Sequence, residues 1–104
     1  MTEPIATTKI KLVTVIGSFH FGDRIASELR ALGVSGYTKT KAEGMGVHGS
    51  TQFGIVDGAN VRIDTLVAPE LAAAILQTIA RNFVGQPVVA FAVDAEAVPS
   101  SHFS

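Results

Sequence analysis

The residues with the clearest chemical potential lie close together, in GYTKTKAEGMGVHGS, Gly36 to Ser50. Gly44, Gly46 and Gly49 stand at the G-x-G-x-x-G spacing of a dinucleotide-binding turn. That turn needs a strand before it, a helix starting inside it and an acidic residue some way beyond. A strand precedes it and Asp64 lies 20 positions after Gly44, but Gly54 and Gly58 interrupt the next segment and no helical period appears. The fingerprint is therefore read as coincidental. Glycines still let successive backbone N–H groups close on an anion, because no side chain intervenes. Lys39 and Lys41 share a strand face with Tyr37 and lead into these glycines. The pair is either a solvated face or, with Gly44 and Gly46, the wall of a small-anion site.

Support for catalysis is thin. His20, His48 and His102 are far apart and there is no cysteine. They make a metal site only if the fold gathers them, and each reads otherwise as a solvated loop residue. Ser18, Ser27, Ser35 and Ser50 sit in no nucleophile-elbow context. Glu43, Asp57, Asp64, Asp94 and Glu96 include no spacing that singles out an acid–base pair. Arg62 and Asp64 alternate on one strand face, as a plain ion pair or as the lining of a cleft between subunits. The expectation is a binding protein and not an enzyme.

The elements that position these residues follow from local pattern. Lys9–Ile16 reads as a β-branched strand ended by Gly17 and Ser18. Phe21–Leu32 reads as a helix with Ile25, Leu29 and Leu32 on one stripe and Gly33 at its C-cap. Ser35–Ala42 is a second strand, residues 44–59 a long flexible loop, and Asn60–Val67 a third strand with Val61, Ile63, Thr65 and Val67 on one face. Pro69 opens a second helix whose stripe is Leu71, Ile75, Ile79 and Phe83. Val88–Ala95 is a fourth strand, and residues 96–104 form a loosely held tail.

The order β-α-β, loop, β-α-β predicts one α+β domain over 1–104, a ferredoxin-like βαββαβ with a four-stranded antiparallel sheet and two helices on one face. The fourth strand is apolar on both faces, as is the later part of the first. With 47% apolar residues and only 16% charged, the chain needs something to cover the second face. No apolar run reaches the roughly 18 residues of a membrane-spanning helix, so a closed ring of subunits is expected. A net charge of −1 argues against a broad grip on nucleic acid. The opening MTEPIATTKIK lacks the pattern of an export signal, making the cytoplasm the expected location.

With this element order in place, the chain resembles the PII signalling proteins, over about residues 9–96. Their second strand begins G-[MY]-T-x-T and runs into G-x-G at the base of a long T-loop; here stand Gly36, Tyr37, Thr38, Thr40, then Gly44, Met45 and Gly46. Their third strand and second helix join in K-I-E-I-V-V-P-[DE], similar to VRIDTLVAPE from Val61 to Glu70. The resemblance implies a homotrimer with inward-facing sheets and adenine nucleotides in the clefts between subunits. It implies that Gly36, Tyr37 and Thr38 border adenine and ribose, that Gly44, Met45 and Gly46 approach the phosphates, and that Asp64, Thr65 and Leu66 flank the base.

The departures are as informative. The loop has no tyrosine or lysine, which argues against uridylylation. The family's T-G-x-x-G-D-G-K pattern is replaced by Arg81, Asn82, Phe83, Val84, Gly85 and Gln86, and its C-terminal R-x-R is missing from DAEAVPSSHFS. Each lost cation removes a charge-assisted phosphate contact, so AMP or ADP is expected ahead of ATP. In these losses the chain is similar to the carboxysome-associated PII proteins linked to inorganic-carbon uptake. That likeness implies bicarbonate near Lys39, Lys41, Gly44 and Gly46, and a protein partner such as a membrane transporter or a carboxysome-related protein. The alternatives are a CutA-type trimer binding a divalent metal through His48, His20 or carboxylates, and a small enzyme in a dimeric ferredoxin-like barrel.

Overall fold

The computed structural model describes residues 4–44 and 58–103. Strand β1 spans Thr8–Ser18, α1 Gly22–Ala31, β2 Thr38–Gly44, β3 Gly58–Val67, α2 Pro69–Asn82 and β4 Val88–Ala97. A 3-10 turn, Phe19–Phe21, leads into α1, and another, Ser100–Phe103, follows β4. The sheet runs β2-β3-β1-β4 with every neighbouring pair antiparallel. This is the expected ferredoxin-like topology.

Both helices pack on one face. Val13 and Val15 of β1 and Val61 and Ile63 of β3 join Ile25 and Leu29 of α1 and Ile75 and Ile79 of α2 in a single core. Paired residues of antiparallel strands share a face, so the register places Leu12 beside Leu66 and Val93, and Thr14 beside Asp64 and Phe91, on the opposite face. No helix among the described residues is long and apolar enough to cross a membrane.

The element boundaries differ from the sequence reading where strand pairing or a helix cap decides them. Gly17 does not end β1 but lies within it, where a Cβ would come within 2.9 Å of a Val88 methyl; glycine permits that approach. α1 ends as expected at Gly33, with φ of 96°. Gly33 and Val34 donate to the carbonyls of Arg30 and Leu29, at 3.0 and 3.1 Å, the Schellman pattern. That closure delays β2, whose ladder begins only at Thr38 opposite Asp64. β2 and β3 extend toward each other until Gly44 pairs with Gly58. In α2 the buried stripe is Ala72, Ile75 and Ile79, continued by Phe83 just past the helix, while Leu71 is half-buried. The Arg24 guanidinium covers the Phe83 ring at 4.4 Å.

Candidate functional site

Two strand ends form the site. Chain leaving α1 enters β2 through Gly36 and Tyr37, directly beside the C-terminal half of β3. Thr65 is buried and its hydroxyl donates to the Gly36 carbonyl at 2.6 Å. Tyr37 accepts a hydrogen bond from Arg30 Nη1 at 3.0 Å, which ties it to α1. With both neighbours anchored, the Gly36–Thr38 backbone is held before its ladder begins.

The result is a cleft of about 540 Å³ lined by Leu12, Gly36, Tyr37, Thr38, Asp64, Leu66 and Phe103, among others. Six residues singled out in the sequence, Gly36, Tyr37, Thr38, Asp64, Thr65 and Leu66, thus converge on one cavity. Thr65 contributes by positioning Gly36, since its hydroxyl is already committed.

Asp64 supplies the charge. Its carboxylate accepts from Arg62 Nε at 3.0 Å and from the Thr14 hydroxyl at 2.6 Å. Burial pushes its pKa up, but the Arg62 and Thr14 hydrogen bonds and the Arg62 charge outweigh that and hold it below the ordinary value of 3.8. It is therefore anionic at neutral pH. A carboxylate accepts hydrogen bonds and repels phosphate, so this end of the cleft suits hydroxyl or amino donors.

Lys39 and Lys41 belong elsewhere. In the register they sit beside Ile63 and Val61, on the helix-covered face, whereas Thr38 and Thr40 share the other face with Asp64 and Arg62. Lys39 Nζ lies 3.5 Å from Asp23 of α1, and Lys41 Nζ lies 5.8 Å above the Phe19 ring. A smaller cavity of about 260 Å³, lined by Phe19, His20, Gly22, Asp23, Lys39 and Val61, opens there. On β2 the lysines therefore occupy the face opposite Thr38 and its partner Asp64. Gly44 closes the described part of β2 opposite Gly58. Met45, Gly46, His48, Gly49, Ser50, Gly54 and Asp57 lie outside the described residues. Among the described residues, no group of three or more His, Cys, Asp or Glu is placed to hold a metal ion.

Three contributors escaped the sequence reading. Thr14 interrupts the apolar run KLVTVI, and a buried hydroxyl there had to find a partner; that was a usable signal. Arg30 carries none, because its link to Tyr37 depends on the turn between them. Phe103 falls in the loosely held tail expected over 96–104, yet β4 continues through Ala97, which pairs with Thr8 and carries the chain back across β1.

The sequence model for the nitrogen regulatory protein P-II family matches residues 10–98. No curated protein sequence matches the chain. Among solved structures, a protein of Thermus thermophilus classed as PII-like and signalling superposes with a TM-score of 0.78 at 29% identity, covering 96% of this chain and all of that one. CPII of Thiomonas intermedia, a PII-like protein solved with ADP and bicarbonate, gives 0.80 at 24% identity, over 97% of this chain and 100% of CPII. The same protein with ADP, AMP and bicarbonate gives 0.75 at 24%, over 88% of this chain and 96% of CPII.

Proposed function

The chain belongs to the nitrogen regulatory protein P-II family, and on that premise we propose that it is a regulatory nucleotide sensor of the cytoplasm and not an enzyme. Three copies associate through the uncovered sheet face. Each intersubunit cleft takes an adenine nucleotide, AMP or ADP ahead of ATP, together with bicarbonate near the base of the loop that begins at Gly44. Binding sets the conformation of the segment between Gly44 and Gly58 and so selects a protein partner, such as an inorganic-carbon transporter or a carboxysome-related protein.

One observation carries this reading: the convergence of Gly36, Tyr37, Thr38, Asp64 and Leu66 on a single cleft beside the uncovered face. The chemistry of the cleft is consistent with it. Gly36 leaves room for a base against backbone, Leu12 and Leu66 supply apolar surface, and Asp64 accepts from ribose hydroxyls or an exocyclic amine. The CPII structures with ADP, AMP and bicarbonate support the same ligand classes. Gly44, Met45 and Gly46 are the candidates for the phosphates and Gly44 and Gly46 for bicarbonate, whereas Lys39 and Lys41 face the helix-covered side of β2, away from the cleft.

Calorimetric titration with AMP, ADP and ATP, with and without bicarbonate, tests the assignment. Binding in the micromolar range, weakest for ATP, is the expected result. Failure of all three to bind below millimolar would sink it. Light scattering should return three times the chain mass.

A further inference from the structure

Resting on the adenylate reading above, we propose that Phe103 is the stacking residue of the cleft and selects ligands with a flat heteroaromatic base.

The C-terminal segment is fastened where such a residue is useful. Ala97 is buried against Thr8 at the end of the β1–β4 ladder. Beyond Pro99 the chain turns, with the His102 N–H donating to the Pro99 carbonyl at 3.1 Å and the Thr8 hydroxyl donating to the Ser100 carbonyl at 3.4 Å. These two bonds bring the Phe103 ring to the cleft wall, beside Leu12, Gly36 and Leu66. The ring is half-buried there, unlike Phe83, which the core consumes entirely. It retains a face to give to a ligand.

The other walls suit the same guest. Leu12 and Leu66 are directly paired across β1 and β3 and form an apolar surface. Gly36 offers backbone without a side chain, and Asp64 offers an anionic acceptor. A base held between the ring and the leucines meets apolar material on its faces and hydrogen-bond acceptors at its amino edge. From Ala95 to Phe103 the chain has no Lys or Arg, so this segment offers a phosphate no ammonium or guanidinium group. Its contribution to recognition is the ring.

Removal of one base-stacking aromatic costs roughly 5- to 150-fold in affinity. Calorimetry with AMP and ADP on wild type, Phe103→Ala and Phe103→Tyr should show that loss for alanine, equal for the two nucleotides and insensitive to salt, with tyrosine near wild type. The chain contains no tryptophan, so Phe103→Trp installs the sole tryptophan, excited apart from Tyr37 at the red edge, whose emission should be quenched at saturating AMP. Phe103→Ala binding AMP as tightly as wild type, or more tightly, overturns the proposal, because the ring is then a wall or a plug. Unchanged emission from the Phe103→Trp protein at saturating AMP also overturns it. Absence of AMP binding by the wild type overturns the adenylate reading itself; wild-type binding with no alanine effect overturns only the role of Phe103.

Discussion

The two faces of the single sheet are built from similar residues and put to different uses. On the covered face Val13 and Ile63 are 0% exposed, while on the other Leu66, Phe91 and Val93 remain 40, 41 and 46% exposed. Valines and large apolar side chains occur on both. What separates the faces is the pair of helices, which two short βαβ crossovers can lay on only one side. The covered face gives the fold its stability; the other retains apolar area, including the Leu12–Leu66 pair of the two central strands, that the proposed association and ligand would cover.

That contrast can be broken from either side. The largest effect on folding is expected for Ile63→Ala on the covered face, about 2–5 kcal/mol, read from urea denaturation. Val93→Asp, on the open face, should leave the circular dichroism of the subunit intact. It should weaken association by about 100-fold or more, roughly 3 kcal/mol, since an unpaired charge would be buried at the subunit contact; unchanged mass in light scattering at micromolar concentration would show that Val93 is not in that contact. Gly17→Ala tests the close approach of β1 and β4. A Cβ 2.9 Å from Val88 has no room, and overpacking of this kind costs about 1–3 kcal/mol.

Smaller still is Thr14→Val, which removes one hydrogen bond from Asp64 and should cost about 1 kcal/mol at neutral pH. The sign of its pH dependence comes from the lowered pKa of Asp64. A carboxyl held below its unfolded value contributes stability that is fully present above that value, 3.8, and is lost as pH falls through the folded pKa. The gap between wild type and Thr14→Val should therefore be constant above about pH 5 and shrink in acid; a gap that widens below about pH 4 would contradict the assignment. Least of all, Asp94→Asn removes the ion pair with Lys11 at an exposed position and should not move the urea midpoint measurably.

The sequence was legible wherever a local rule governed the outcome. The stripe Ile25 and Leu29, the glycine cap at Gly33 and the proline start at Pro69 all depend on neighbours within one or two turns. Boundaries shifted where a distant strand decided them. β1 ran on through Gly17 because Val88 and Val61 pair with it, and β2 began late because, after the closure at Gly33, Thr65 of β3 holds the carbonyl of Gly36 outside the ladder. For the site, residue pattern and family likeness together identified Gly36, Tyr37, Thr38, Asp64, Thr65 and Leu66, and the cleft contains all of them. Phe103 was out of reach because it is separated from Gly36 by most of the chain.

By itself, then, the sequence determined the element order, the α+β class and the excess of apolar surface over what two helices can cover. Those are properties of periodicity and composition, which are local or additive. Only the tertiary structure decided which side of β2 faces the cleft, that Asp64 is held anionic between Arg62 and Thr14, and that the C-terminal ring closes the wall. Each of these depends on strand register and on contacts between residues distant in the chain. A shift of one residue in register would send Thr38 to the helices and Lys39 to the cleft.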